Sequence, residues 1–191
     1  MANPIRHSLA FGGDSHMRNI MRAVDDLLRE GNYQNLQIHP NGRKASGGAT
    51  FETYFNYQHQ DLLNCSAAVV LVSVGGNDAD CVRDPATIDI LRDNARRTIE
   101  QLEASGKTVY FCEFPRRFSV RTRGLRIEEW KNLSNTFHRF LRRQFSRQFI
   151  HFPAGGHYRQ RGNFRADGVH LLDERYRSYA EHILRHVNKY I

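Results

Sequence analysis

The hydrophobic residues of this chain alternate between short apolar runs and longer stretches with helical spacing. The apolar runs predict five strands, at residues 8–11, 36–38, 67–74, 108–112 and 149–152. Apolar positions that recur every three or four residues predict helices between them, after Gly13 and at residues 88–102, 127–145 and 174–190. Strands that alternate with helices form right-handed crossovers, so we expect an α/β fold: a three-layer α/β/α sandwich, flavodoxin-like, with about five parallel strands, as a single domain over residues 1–191.

Three short polar motifs lie where this fold would gather functional groups. Gly13-Asp14-Ser15 follows the first predicted strand, Gly75-Gly76-Asn77-Asp78 follows the central one, and Asp167-Gly168-Val169-His170 precedes the last helix. The loops at the carboxyl ends of parallel strands meet at one edge of the sheet. We therefore expect the three motifs to lie close together.

The residue types in these motifs are those that acyl transfer needs. Ser15 would be the nucleophile, His170 its general base, and Asp167 the carboxylate that orients the imidazole. The side-chain amide of Asn77 could donate a hydrogen bond to an oxyanion. Each residue also has a structural alternative: Ser15 as a helix cap, Asn77 as a turn residue and His170 as a surface histidine.

The three motifs resemble blocks one, three and five of the SGNH hydrolases, the GDSL esterase and lipase superfamily. A further block of that family supplies a glycine N–H to the oxyanion hole, and Gly48-Ala49-Thr50 resembles its Gly-x-Thr, with Gly47 as an alternative. The resemblance implies catalysis by Ser15, Asp167 and His170, an oxyanion hole formed by Ser15, Gly48 and Asn77, and no metal or organic cofactor. One departure is His16, where the family often has leucine.

Positive charge bears on the substrate and on possible partners. Lysine and arginine exceed aspartate and glutamate by 28 to 20, which gives a net charge of +8. We interpret His16, next to Ser15, as a candidate substrate contact, together with Arg116, Arg117 and Arg121 of the arginine-rich loop after the fourth strand. That loop could bind an anionic lipid head group or nucleic acid beside a small ester or lipid substrate. The other interpretation of this loop is a solvated basic surface.

Two functions follow from these features. The first is a serine esterase that hydrolyses short-chain acyl, acetyl or lipid esters through an acyl-serine intermediate. The second is a non-catalytic basic module that binds nucleic acid or a membrane surface on the same fold. A basic domain beginning Gly-Asp-Ser-His is also similar to esterase domains in first-open-reading-frame proteins of some non-LTR retrotransposons, whose parent proteins handle nucleic acid.

Composition excludes several other classes of protein. No apolar run is long enough to span a bilayer, and residues 1–7 show no apolar core of a secretory signal. The cysteines Cys65, Cys81 and Cys112 form neither a disulfide framework nor a zinc motif. Their odd number favours a reducing compartment, so we expect an intracellular, cytoplasmic protein of unassigned oligomeric state.

Overall fold

A five-stranded sheet, all of whose strands run parallel, forms the middle layer of the fold. The computed structural model describes residues 7–81, 86–120, 126–153 and 157–191. The strand order is β2-β1-β3-β4-β5, which is the flavodoxin-like order. The strands are β1 His7–Gly13, β2 Leu36–Arg43, β3 Val69–Ser73, β4 Thr108–Cys112 and β5 Phe149–Ile150.

The helices cover both faces of this sheet and complete the three predicted layers. Those with α-helical geometry are α1 Ser15–Arg29, α2 Phe51–Tyr54, α3 Gln60–Asn64, α4 Asp78–Cys81, α5 Thr87–Ala104, α6 Ile127–Gln144 and α7 Asp173–Tyr190. Helices α1 and α7 pack on one face, and α3, α5 and α6 contribute to a second apolar cluster on the other. The α/β/α architecture is therefore confirmed.

The central strand shows why the core forms where it does. Every residue of Val69–Ser73 is buried, because β3 pairs with β1 on one side and β4 on the other while helices cover both faces. Apolar side chains that point in opposite directions from this strand enter the two separate apolar clusters. This packing brings the carboxyl ends of β1 and β3 side by side.

Two elements differ from the sequence-based prediction. Strand β2 continues through Pro40 to Arg43, across a register irregularity where Phe11 of β1 pairs with Arg43. An edge strand tolerates a proline because its outer N–H groups have no partner strand to bond. Residues 51–64, for which no element is predicted, form α2, a π-helical turn at Phe55–His59, and α3.

None of the helices in the described ranges combines the length and apolar character that a membrane span requires.

Candidate active site

The turn between β1 and α1 presents Ser15 at the first position of a helix. The side chain of Asp14 caps that helix, where its Oδ1 accepts a hydrogen bond from the N–H of His16 at 2.9 Å. Gly13 has φ +131°, and a Cβ at this position would lie 1.9 Å from the carbonyl oxygen of Ser73. Only glycine fits there, so the close packing of β1 on β3 determines the turn that positions Ser15.

Gln58, in the π-helical turn, holds this turn from the other side. Its Oε1 accepts from the N–H of Gly13 at 2.7 Å, and its Nε2 donates to the carbonyl oxygen of Gly13 at 3.2 Å and to Ser46 Oγ at 3.0 Å. Single π-helical turns often occur near functional sites, where the extra residue redirects a side chain. The sequence offers no signal for this role, because Gly13 and Gln58 are 45 residues apart.

Ser15, His170 and Asp167 form one continuous hydrogen-bonded chain. His170 Nε2 lies 2.9 Å from Ser15 Oγ, and His170 Nδ1 lies 2.6 Å from Asp167 Oδ2. A proton on Nδ1, donated to the carboxylate, leaves Nε2 as an acceptor for the serine hydroxyl. The structure thus brings together the three residues that the motifs predict.

Asp167 is held as an anion by the turn in which it lies. Its Oδ1 accepts from the N–H groups of Val169 at 2.9 Å and His170 at 3.0 Å, while Oδ2 faces the imidazole. Partial burial would raise the pKa of Asp167, but the hydrogen bonds from the His170 side chain and from these two N–H groups outweigh it and hold the pKa well below its usual range. The carboxylate therefore stays ionised and available to the imidazole at neutral pH.

Asn77 contacts the loop that carries Gly48, the second candidate oxyanion donor. Asn77 Nδ2 donates to the carbonyl oxygen of Ala49 at 2.9 Å. An amide NH2 carries two hydrogens, so one of the two is engaged by Ala49 and the other is suited to a substrate oxygen. Gly48 is exposed and has φ +76°, and a Cβ there would meet no atom within 4 Å.

Arg117 orients the Asn77 amide from beneath. Its guanidinium donates from Nη2 to Asn77 Oδ1 at 2.8 Å and from Nη1 to Asp80 Oδ2 at 2.7 Å, and it lies 5.3 Å from the ring of Trp130. Arg117 is 1% exposed. The prediction that Arg117 contacts substrate is wrong for this reason: its fork is committed to Asn77 and the buried Asp80.

Replacement of Arg117 by lysine is expected to lower kcat by about tenfold. The single ammonium group of lysine would stay with Asp80, so the side-chain amide of Asn77 would lose its hydrogen bond to Arg117. A tenfold fall corresponds to the loss of one hydrogen bond to a charged group. The charge beside Asp80 is preserved, so the fold should be kept. In an Asn77→Ala background the same substitution should have no further effect on kcat. The measurement is a double-mutant cycle on ester hydrolysis.

The control for this cycle is Arg96→Lys, on the surface of α5, where the arginine forms an ion pair with Asp93 of its own helix and lies 5.8 Å from the centre of the Phe140 ring. It should leave kcat unchanged. An equal fall in kcat for Arg117→Lys in both backgrounds would mean that Arg117 acts on general stability and not on Asn77.

His16 supports His170 and does not face a substrate. It is 1% exposed, its Nδ1 lies 2.7 Å from Tyr176 Oη, and its ring centroid is 5.3 Å from that of His170. The interpretation of His16 as a substrate contact is therefore wrong: the ring is buried between α1 and α7. The contact with Tyr176 gives one nitrogen of this polar ring, Nδ1, a hydrogen-bond partner next to Ser15.

The other arginines of the predicted loop that the structure describes are Arg116 and Arg126. Arg116 is half-buried and lines a cavity beside α6, and Arg126 pairs with Glu129 at the start of that helix. Arg121 and Arg123 lie outside the described residues. Among the described residues of this loop, Arg117 is therefore buried, Arg116 lines the cavity beside α6, and Arg126 is exposed at the start of that helix.

Two further carboxylates in the motifs bond the backbone, as expected for structural residues. Asp14 caps α1, and both oxygens of Asp78 accept from the N–H of Phe51, at 3.0 and 3.1 Å. Burial raises the pKa of each to about 6. For Asp14, the positive charge of Arg117 and the backbone hydrogen bonds oppose that rise without cancelling it.

The described residues contain no group of three or more His, Cys, Asp or Glu side chains arranged to hold an ion. Cys65 and Cys112 are free and buried, and burial raises the pKa of the Cys112 thiol above its usual range.

Comparison with known proteins identifies similar folds in solved structures. A GDSL-like lipase from Bacteroides thetaiotaomicron has a TM-score of 0.76 and 16% identity, over 100% of this chain and 93% of its own. A lipase/acylhydrolase from Enterococcus faecalis has a TM-score of 0.72 and 16% identity, over 96% of both chains. A catalytic mutant of Axe2, an acetylxylan esterase from Geobacillus stearothermophilus, has a TM-score of 0.73 and 13% identity, over 98% of this chain and 96% of its own.

No family model matches the sequence, and neither does any of the curated proteins. At these identities the structural likeness shows the fold alone, over nearly the whole length of each chain compared. This chain has the three-layer fold of the GDSL-like lipases and acetylxylan esterases, the fold that its resemblance to the SGNH hydrolases implies.

Proposed function

We propose that this protein is a serine esterase that hydrolyses carboxylic esters through an acyl-serine intermediate. The observation that carries the proposal is the hydrogen-bonded chain from Ser15 Oγ through His170 to Asp167. A structural role for these residues would not require the imidazole to lie between a serine hydroxyl and an ionised carboxylate. The fold shared with lipases and acetylxylan esterases supports the same conclusion.

Acylation begins with proton transfer from Ser15 Oγ to His170 Nε2 as the oxygen attacks the ester carbonyl carbon. The imidazolium that forms is stabilised by Asp167, which keeps the Nδ1 proton in place. His170 then donates its new proton to the departing alcohol. The acyl group remains on Ser15, and a water molecule activated by His170 hydrolyses it in a second, equivalent step.

The negative charge of each tetrahedral intermediate needs fixed hydrogen-bond donors. The N–H of Ser15 at the start of α1, the N–H of Gly48 and the Nδ2 of Asn77 are the donors we assign to it. The first N–H groups of a helix have no acceptor within the helix, so the one at Ser15 is suited to this task. Arg117 keeps the amide of Asn77 turned with its nitrogen toward Gly48 and Ala49.

Short acyl esters, acetyl esters among them, are the substrates that we expect first, and lipid esters are the alternative. Two similar structures are described as acetylxylan esterases and two as a lipase or a lipase/acylhydrolase, so the fold accommodates both classes. The length of the acyl chain separates these possibilities.

Nitrophenyl esters of acetate, butyrate and octanoate provide the test. We expect turnover of the acetyl ester, and acid-quenched protein should carry one acetyl group on the peptide that contains Ser15. A rate no greater than that of spontaneous hydrolysis, or an acetyl group on another residue, would contradict the proposal. Activity restricted to the acetyl ester would exclude a lipase.

A further inference from the structure

A cavity opens at the same edge of the sheet as Ser15, where β4 and β5 end against α6. Its volume is about 320 Å³. It is lined by residues from the ends of both strands, from α6 and from the 3-10 turn that begins at His157. Neither Ser15 nor His170 is among the described residues that line it, so it is separate from the candidate active site.

The walls of this cavity carry a strong excess of positive charge. Four of the described lining residues are permanent cations: Arg116, Lys131, Arg142 and Arg159. Lys131 pairs with Glu128 outside the cavity, and a shallower groove that continues from it adds Arg139. Arginine forks recognise the oxygens of phosphate and carboxylate in pairs, and a concave basic surface concentrates such anions.

The one carboxylate among these lining residues, Glu113, is already engaged by the protein. Its Oε1 lies 3.4 Å from His138 Nδ1, and its Oε2 accepts from the N–H of Phe152 at 2.9 Å and lies 3.9 Å from His151 Nδ1. Burial would raise the pKa of Glu113, but these contacts hold it below its usual value. Both oxygens of Glu113 are therefore held by contacts within the protein. Arg142 directs Nη2 to His151 Nδ1 at 3.4 Å, and Arg116 and Arg159 line the cavity beside it.

The inner wall is aromatic and joins the cavity to the candidate oxyanion hole. Trp130 lines the cavity, its Nε1 donates to the carbonyl oxygen of Gly76 at 3.1 Å, and its ring lies against Arg117. Gly76 directly precedes Asn77, and Arg116 directly precedes Arg117. One aromatic side chain thus separates the basic cavity from the loop that carries the Asn77 amide.

We propose that this cavity binds the phosphate group of a small ligand, held by the guanidinium groups of Arg116 and Arg142 over the Trp130 wall. Phosphate suits the site better than a carboxylate because its oxygens are arranged tetrahedrally and can meet cations that approach from different sides. A monoester offers three non-bridging oxygens, and a diester offers two beside its two ester oxygens. The ligand class is a phosphate monoester or diester, including the head group of a lipid. Binding does not depend on the proposed esterase activity.

Trp130 is the only tryptophan of the chain and lines the cavity, so its fluorescence reports occupancy directly. The protein is titrated with inorganic phosphate, glycerol 3-phosphate and glycerophosphocholine, against sodium chloride at equal ionic strength. We expect a saturable change with phosphate compounds and none with chloride. Tighter binding of glycerophosphocholine than of inorganic phosphate would identify the ligand as a lipid head group. Tighter binding of inorganic phosphate would identify it as a free phosphate.

The Arg116→Gln/Arg142→Gln double variant should weaken binding at least tenfold. Arg29→Gln/Arg96→Gln, which removes the same charge from surface sites elsewhere, should bind as the wild type does. A Ser15→Ala variant should also bind phosphate normally, so that failure of the esterase proposal would leave this one standing. Absence of saturation, an equal response to chloride, or an equal loss in both double variants would overturn the proposal.

Discussion

Replacement of Ser15 by alanine is expected to lower kcat for ester hydrolysis by about four to six orders of magnitude, with little change in stability. The hydroxyl is the only nucleophile in contact with His170 Nε2 among the described residues, and its removal leaves only the oxyanion donors to assist attack by water. The measurement is the steady-state rate with nitrophenyl acetate, beside thermal unfolding of both proteins.

The matched control is Ser146→Ala, an exposed serine between α6 and β5. It should hydrolyse the ester at the wild-type rate. If Ser15→Ala retained the wild-type rate while remaining folded, the basis for a serine esterase would be gone, and a non-catalytic module on this fold would be the better interpretation.

Replacement of Asp167 by asparagine should lower kcat by about three to four orders of magnitude through the wrong tautomer of His170. The N–H groups of Val169 and His170 both require an acceptor at the position of Oδ1, so the amide oxygen of an asparagine must take it. The amide NH2 would then face His170 Nδ1. That nitrogen must become an acceptor, the ring proton moves to Nε2, and Nε2 can no longer receive the proton of Ser15.

In the Asp167→Asn variant the turn keeps its hydrogen bonds, so the His170 ring keeps its orientation. A fall in kcat therefore reports the change in the tautomer of His170. Nuclear magnetic resonance of the ring nitrogens should show Nε2 protonated in Asp167→Asn and Nδ1 protonated in the wild type. Asp93→Asn, an exposed carboxylate on α5, is the control and should leave both the tautomer and kcat unchanged. An unaltered tautomer with full activity would remove Asp167 from the mechanism.

The sequence predicts most of the fold because its strongest patterns are local. The stripe of apolar residues in α1, from Met17 to Leu28, and the fully apolar strand β3 each correspond to an element with the predicted face buried. Residues 51–64 are different, since the π-helical turn inserts an extra residue that breaks the helical period. Strand β2 continues past the predicted end because pairing with β1 outweighs the low strand propensity of Pro40, Asn41 and Gly42.

The candidate site is predictable only as far as motif order and topology allow. Ser15, Asp167 and His170 meet because the ends of parallel strands meet, which the alternation of strands and helices already implies. Arg117 and Gln58 could not be assigned, since nothing in their local sequence distinguishes them from neighbours that face water. Their roles arise from side-chain contacts across 40 and 45 residues of chain.

The glycine of the first motif has a consequence for related chains that lack the proposed activity. A side chain larger than that of glycine at position 13 would collide with the carbonyl oxygen of Ser73, and Gln58 holds the turn by hydrogen bonds to Gly13. Gly13 and Gln58 therefore serve the packing of the sheet whether or not Ser15 reacts. A related chain that lacks the proposed activity could replace Ser15 and His170, while the turn would still require glycine at the position of Gly13. The presence of this glycine in such a chain would show only that the turn is kept, and the serine and histidine would bear on catalysis.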